Sequence, residues 1–191
     1  MFTALLEKIA LALDEAGIPY MIIGGQAVLL YGEPRLTKDI DITLGAGLDR
    51  LTDVLGLAQG AGLKPLVNPD TFTRKTLVLP CEDPTTGIRV DFVFSFSPYE
   101  RQALERVRRV RVGEADVRFA SLEDVIIHKI VAGRPRDLED VRAMLLKNSS
   151  VDLAYTRTWL RDFSDALSEP LLDKFDQILR ETGLGTSPEC G

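Results

Sequence analysis

Two aspartates one residue apart in an otherwise apolar stretch are the first sign of chemistry in the chain. Asp39 and Asp41 alternate with Ile40 and Ile42 in the segment KDIDITL. Aspartate is depleted in strands, and two like charges on one strand face repel each other. Because side chains alternate between the two faces of a strand, both carboxylates point to one side and the isoleucines to the other. A bound cation would offset the repulsion between the carboxylates.

A third acid has the same setting further along the chain. Asp91 lies in IRVDFVFS, where Val90 and Phe92 belong to the buried face and Asp91 points to the opposite one. If the two strands are neighbours in one sheet, three carboxylates converge on a single patch. Mg²⁺, or Mn²⁺ in its place, prefers oxygen ligands of this kind. The pattern therefore predicts that Asp39, Asp41 and Asp91 are the catalytic and metal-binding residues of a phosphoryl-transfer site.

A pair of glycines precedes these acids at the start of a predicted helix. Gly24 and Gly25 follow the short apolar strand YMII. Backbone N–H groups at a helix start bind phosphate oxygens well when no Cβ obstructs their approach. Arg35 and Lys38, on the loop that enters the Asp strand, carry the charge to neutralise a triphosphate. All four residues are therefore predicted to bind nucleotide.

Each of these features also has a plainer interpretation. The aspartates can be the solvated face of a half-exposed strand, and the glycines can simply make a tight turn. The order of the three elements along the chain favours the chemical interpretation. A dinucleotide-binding site is disfavoured, because the pattern GxGxxG is absent and the next strand carries two acids where one ribose-binding acid is expected.

The glycine pair, the Asp-x-Asp strand and the later acid together resemble the signature of the DNA polymerase β-like nucleotidyltransferase superfamily. The resemblance covers roughly residues 18–95. It implies an α+β fold in which a small mixed β-sheet has flanking helices, the minimal nucleotidyltransferase fold. It also implies two-metal transfer of a nucleoside monophosphate from an NTP to an acceptor hydroxyl, with release of pyrophosphate. The alternative is a catalytically degenerate member that binds nucleotide or a partner protein, and the intact acid triad argues against it.

A segment in the second half of the chain, HKIVAGRPRDLEDV at 128–141, makes the resemblance more specific, to one branch of the superfamily. It is similar to the active-site segment of the abortive-infection AbiE-type (AbiEii-like) nucleotidyltransferase toxins and their uncharacterised relatives. The match falls on Lys129, Ala132, Arg136, Asp137 and Asp140. The resemblance implies that Lys129, Arg136 and Asp137 bind nucleotide. It also implies a tRNA 3′ end, or another RNA, as a candidate acceptor and an antitoxin protein as a candidate partner.

Lys129 and the single histidine also allow structural interpretations. Lys129 shares the inward-facing stripe of its helix with Leu122 and Val125. Its ammonium therefore either reaches phosphate or extends to solvent on an apolar stem. His128 falls on another side of the helix, and a lone histidine favours a structural role.

Four arginines crowd into positions 106–111: Arg106, Arg108, Arg109 and Arg111. This arginine cluster is either a charged strand edge that blocks unwanted pairing or a local groove for an RNA backbone. The net charge of −6 excludes broad electrostatic attraction to nucleic acid. Any contact with RNA must therefore be confined to a patch.

The remaining pattern predicts the elements that position these residues. Strands are predicted at 20–23, 37–44, 72–79 and 88–95, and the last two are predicted to form a hairpin. Helices are predicted from the N-terminus to Gly17 and at 26–31 and 48–61, and a second hairpin at 106–119. Beyond this hairpin the chain has the pattern of successive helices. The predicted organisation is a nucleotidyltransferase α/β domain at 1–120, a C-terminal helical region at 121–182 and a tail at 183–191.

Composition predicts a globular protein of the cytoplasm. With 191 residues, of which 45% are hydrophobic, the chain can bury one good core with a helical appendage. No apolar run approaches the length of a membrane span, so no membrane contact is expected. Cys81 and Cys190 form neither a CxxC pair nor an evident disulfide framework, which suits a reducing compartment.

Overall fold

The computed structural model of the chain describes residues 2–34, 37, 39–95 and 97–184. These residues form the predicted α+β fold, with one seven-stranded mixed sheet and flanking helices. The strands are β1 (Tyr20–Ile23), β2 (Asp39–Leu44), β3 (Lys64–Pro65), β4 (Val78–Asp83), β5 (Ile88–Phe94), β6 (Arg108–Val112) and β7 (Ala115–Phe119). The helices are α1 (Phe2–Glu15), α2 (Gly24–Tyr31), α3 (Leu51–Gly60), α4 (Pro69–Thr76), α5 (Pro98–Glu105), α6 (Leu122–Ala132), α7 (Pro135–Lys147), α8 (Leu153–Leu167) and α9 (Leu171–Glu181). None of the helices in the described part of the chain is both long and apolar enough to cross a membrane.

The order of strands in the sheet, β3-β4-β5-β2-β1-β7-β6, brings distant parts of the sequence together. Strand β2 is parallel to β5 and antiparallel to β1, and β1 is parallel to β7. Both predicted hairpins are confirmed, since β4 pairs antiparallel with β5 and β6 with β7. The strand of the two aspartates therefore lies between the strand that leads into the glycine pair and the strand of Asp91.

The register of β2 and β5 is fixed by a fully apolar face. Ile40 and Ile42 of β2 and Phe92 of β5 have 0% exposure, whereas the aspartates of these strands point to the more open face. Full burial of one such apolar side chain contributes about 1.5–3 kcal/mol. A slip by one residue would exchange the two faces, exposing the apolar side chains and burying the carboxylates, and would cost several such contributions.

Helices α6 to α9 belong to a second compact unit. This unit comprises residues 28–35 and 122–191, and the first comprises residues 1–27 and 36–121. Helix α6 packs against α7, α8 and α9. Leu160, Phe175 and Leu179 have 0% exposure and form part of the core of the helical unit.

One predicted strand is wrong in its first half, because residues 72–76 belong to helix α4. The β-branched residues of TFTRKT favour a strand. The start of the helix overrides them: the side chain of Asn68 accepts a hydrogen bond from the backbone N–H of Thr71, and Pro69 occupies the first turn. Leu77, with φ of +60°, ends the helix in the left-handed conformation immediately before β4.

Candidate active site

The three predicted acids are carried by two parallel neighbours, β2 and β5. The register sets Asp41 opposite Asp91 and Asp39 opposite Arg89. Neighbouring strands are about 4.8 Å apart, so one strand spacing separates the backbones of Asp41 and Asp91. Asp39 lies two residues earlier on the same face of β2. The fold thus brings the three acids together on one part of the sheet, which we call the carboxylate patch (Asp39, Asp41 and Asp91).

Gly24 lies against the carboxylate of Asp41, where β1 leads into α2. The preceding residue, Ile23, is the direct partner of Asp41 in the antiparallel β1–β2 pair. The φ of Gly24 is +63°, which L side chains rarely adopt. A Cβ at this position would lie 2.0 Å from Oδ2 of Asp41 and 2.9 Å from its Cγ. The backbone therefore favours glycine here, and any added Cβ would have to displace the Asp41 carboxylate.

Gln26 contributes to the same region, although it was not among the predicted site residues. It lies in the first turn of α2, directly after the buried Gly25, and is only 9% exposed. Its amide Nε2 donates a hydrogen bond to Oγ1 of Thr37, two residues before β2. This bond links the start of α2 to the entry of the Asp strand. In the sequence, a polar side chain directly after the glycine pair was the signal that could have indicated this role of Gln26.

Two other predicted nucleotide-binding residues, Arg35 and Lys38, lie outside the described residues.

Asp91 is the acid whose surroundings the structure defines best. Its side chain is 26% exposed, and Nη2 of Arg89 lies 3.5 Å from its Oδ1. That oxygen is buried and accepts no well-formed hydrogen bond from the described residues. Burial raises the pKa of the Asp91 carboxyl above its ordinary value; the Arg89 guanidinium partly opposes this rise, and the charge of Asp39 adds to it. Arg89 is thus one cation that the structure places beside the carboxylate patch.

The donor atoms of the patch fit Mg²⁺ or Mn²⁺ in kind. Three carboxylates supply oxygen ligands, and Oδ1 of Asp91 has unused acceptor capacity. Within the described residues, however, no three His, Cys, Asp or Glu side chains already surround a common point as metal ligands would. The carboxylate of Asp91 is turned toward Arg89, and that of Asp41 lies against Gly24. A shared ion therefore requires rotation of these side chains.

In the helical unit, Lys129 is enclosed by two acids of the same predicted segment. Its Nζ lies 2.5 Å from Oδ1 of Asp137 and 2.9 Å from Oδ2 of Asp140. The Lys129 side chain is only 9% exposed, so the interpretation in which its ammonium extends to solvent is wrong. We call these three residues the lysine cluster.

Arg136 stands apart from the lysine cluster. It is exposed in the first turn of α7, and it makes no ion pair with the described residues. Another arginine, Arg134, does contact the cluster, and its Nε lies 3.6 Å from Oδ2 of Asp137. The structure thus gathers two of the three predicted nucleotide-binding residues of this segment, Lys129 and Asp137, and leaves Arg136 outside their contacts.

The arginine cluster lies on and next to β6, an edge strand of the sheet. Arg108 and Arg109 are exposed there. Arg111 is paired with Glu114 at 3.1 Å and with Asp116 at 3.5 Å, so its charge is compensated. The arginines thus lie at a strand edge, and both interpretations, the edge that blocks unwanted pairing and the RNA groove, stay predictions.

The paired aspartates, the acid on the parallel neighbour and the glycine turn into a helix define a nucleotidyltransferase type of fold. The chain belongs to the family described as nucleotidyltransferase of unknown function (DUF6036), which matches residues 1–175. No curated protein matches it in sequence. Its membership of the AbiE-type branch stays a prediction.

Solved structures with the same fold include two that cover most of the chain. An antigenic nucleotidyltransferase-like protein from Paracoccidioides brasiliensis has 19% identity over 90% of this chain and 92% of that chain, with a TM-score of 0.55. ANT(2″)-Ia, solved in complex with adenylyl-2″-tobramycin, has 18% identity over 86% of this chain and 98% of that chain, with a TM-score of 0.60. At these identities the likeness shows a shared fold.

Proposed function

We propose that the protein transfers a nucleoside monophosphate from an NTP to an acceptor hydroxyl and releases pyrophosphate. The observation that carries this proposal is the register of β2 and β5, which aligns Asp41 with Asp91 on the face that Asp39 shares. Clustered carboxylates repel one another and destabilise an ordinary strand surface. A divalent cation with its bound triphosphate would offset this repulsion and would make the clustered carboxylates useful for catalysis.

Each acid has a distinct role in the proposal. Asp39 and Asp41 would hold both ions of a metal pair, and Asp91 would hold the ion nearer the attacking hydroxyl. When bound, Mg²⁺ or Mn²⁺ neutralises charge on the phosphates and makes the hydroxyl more acidic. Asp91 helps to remove the hydroxyl proton, since its Oδ1 has unused acceptor capacity.

The bond changes are those of a single displacement at the α-phosphorus. The acceptor oxygen forms a bond to this phosphorus, and the bond from the phosphorus to the oxygen that bridges to the β-phosphate breaks. Gly24 and Gly25 hold the triphosphate through backbone N–H groups at the positive end of α2. Arg35 and Lys38 are proposed to compensate the remaining charge. For Lys129, Arg136 and Asp137 of the helical unit, nucleotide binding stays a prediction from the resemblance.

Two classes of acceptor are proposed for comparison. The resemblance of segment 128–141 to the AbiE-type toxins favours an RNA 3′ end, tRNA first, and an antitoxin protein as partner. The structural neighbour ANT(2″)-Ia, solved with adenylyl-2″-tobramycin, favours a hydroxyl of a small aminoglycoside-like molecule. Both acceptors use the same carboxylate patch, so the reaction type does not depend on the choice.

The test compares NTPs labelled at the α- or the γ-phosphate. Each is incubated with Mg²⁺ and the protein, and separately with total tRNA, with tobramycin or with no added acceptor. The proposal predicts transfer of the α-label, release of pyrophosphate and no transfer of the γ-label. Transfer of the γ-label would identify a kinase, and binding of NTP without transfer to any acceptor would favour the degenerate alternative. Asp41→Asn is the matched inactive variant.

A further inference from the structure

Two arginines lie directly opposite each other near the edge of the sheet. The register of β6 and β7 pairs Arg109 with Arg118. Like charges in directly opposite positions destabilise a sheet. Arg118 forms an ion pair with Asp14 of α1, whereas Arg109 makes no ion pair or hydrogen bond with the described residues. One positive charge in this pair is therefore left uncompensated by those residues.

Both arginines line a cavity of about 320 Å³ beside α1, α5 and the start of β1. Its apolar lining comes from Leu13, Ile18, Pro19, Leu104 and Val107. The ring of Tyr20 is also part of the lining, with its centroid 5.1 Å from Cζ of Arg118. Asp14 is the one acid that lines the cavity among the described residues. A volume of this size is near the lower end for ligand sites, which span about 300–1,000 Å³.

We propose that this cavity binds a small organic monoanion with a planar or apolar body, such as an aromatic carboxylate. The anionic group would accept hydrogen bonds from the guanidinium of Arg109, whose planar donors match a carboxylate. Asp14 offsets the positive charge of one arginine, and a ligand with a single negative charge would offset that of the other. The planar body would lie against the Tyr20 ring and the apolar lining. This site is separate from the carboxylate patch: its lining contains none of Asp39, Asp41 or Asp91.

The probe for the test is 2-naphthoate, titrated against the full chain by calorimetry or by amide chemical shifts. The proposal predicts that 2-naphthoate binds, that uncharged 2-naphthol and the small anion acetate bind at least tenfold more weakly, and that Asp41→Asn leaves the affinity unchanged. Arg109→Gln should weaken binding by about ten- to a hundredfold, the usual value of a charge-assisted hydrogen bond. Its melting temperature should not fall, because the substitution relieves a repulsion.

Arg108→Gln is the matched control, since Arg108 is also exposed on β6 but does not line the cavity. It should leave the affinity within about twofold of the wild type, because its charge acts only through solvent. Equal effects of Arg108→Gln and Arg109→Gln would overturn the proposal. Equally tight binding of 2-naphthol and 2-naphthoate would also overturn it, because the cavity would then bind the apolar body and the positive charge would not contribute.

Discussion

The carboxylate patch and the lysine cluster contain the same kinds of charged side chain, but they differ in how far these side chains are buried. In the patch, the Asp91 side chain is 26% exposed, and the half-exposed Arg89 lies 3.5 Å from it. In the cluster, two nearly buried acids enclose the ammonium of Lys129 at 2.5 and 2.9 Å. Charge that is compensated internally serves the fold. Carboxylates that stay accessible on a sheet face can still bind an ion from solution.

This comparison changes the expected role of Lys129. The sequence predicts that its ammonium binds nucleotide, whereas within the helical unit it is held by Asp137 and Asp140. Removing the partner of a buried charge is far more damaging than removing an exposed one. Substitutions in the two regions should therefore separate loss of activity from loss of stability.

The largest effect is expected for Asp41→Asn, which should lower nucleotidyl transfer by about a hundred- to a thousandfold or more, because a metal ligand is lost. In metal-free buffer its melting temperature should equal or slightly exceed that of the wild type, since the substitution removes one of several crowded anions. Transfer assays and melting curves with and without Mg²⁺ measure both effects. Asp116→Asn, an exposed acid on β7, is the control and should keep full activity. A large fall in stability of metal-free Asp41→Asn would show that the patch serves the fold.

Lys129→Met should show the opposite pattern. It leaves two nearly buried carboxylates without their cation and should cost about 3–5 kcal/mol of the free energy of unfolding. Denaturant titration measures this loss. Lys174→Met is the control, because the pair of Lys174 with Glu169 is much more exposed than the lysine cluster and is worth about 0–1 kcal/mol. If Lys129→Met kept its stability but bound NTP tenfold more weakly, the nucleotide-binding role predicted from the sequence would be correct.

Gly24→Ala tests whether the turn is shaped around Asp41. Two glycines have almost the same φ, +63° at Gly24 and +62° at Gly17, but a Cβ at Gly17 meets nothing within 4 Å. Gly17→Ala therefore measures the conformational cost alone, about 1–2 kcal/mol. Gly24→Ala should lose more stability than this and should also lose affinity for the metal–NTP complex, because its methyl group displaces the Asp41 carboxylate. Equal losses of stability for the two variants would show that the contact with Asp41 does not contribute to the need for glycine at position 24.

Arg89→Gln should have the smallest effect. Arg89 is 49% exposed, so its ion pair with Asp91 contributes less than about 1 kcal/mol to stability. Because the substitution removes a positive charge beside the patch, Mn²⁺ should bind several-fold more tightly, and added salt should reduce the difference. Arg74→Gln, an exposed arginine of α4, should leave the Mn²⁺ affinity unchanged. Weaker Mn²⁺ binding by Arg89→Gln would mean that Arg89 positions Asp91 for the metal.

The local pattern of the sequence predicted the strand faces of this site correctly. Period-two alternation placed Ile40 and Ile42 on the buried face and Asp39 and Asp41 on the other, and the structure has the same arrangement. Alternation alone does not show that β2 and β5 are neighbours, because their pairing joins residues about fifty positions apart. The resemblance supplied that expectation. The pairing in the structure agrees with it.

Two signals in the sequence were present but not used. Ser97, Pro98 and Glu100 form a capping box with proline in the first turn, and they begin helix α5, which was not predicted. Asp137 and Asp140, three residues apart on one face of α7, both face Lys129. That contact joins two helices, so helical spacing within α6 alone showed where Lys129 points but did not identify its partners.

The most direct test of the account is a calorimetric titration of Mn²⁺ with a non-hydrolysable NTP into the full chain. This measurement needs no knowledge of the acceptor. The account predicts saturable binding to the wild type and at least tenfold weaker binding to Asp41→Asn and to Asp91→Asn, with Asp116→Asn binding like the wild type. Equal affinity in all four proteins would contradict a metal–nucleotide site at the carboxylate patch.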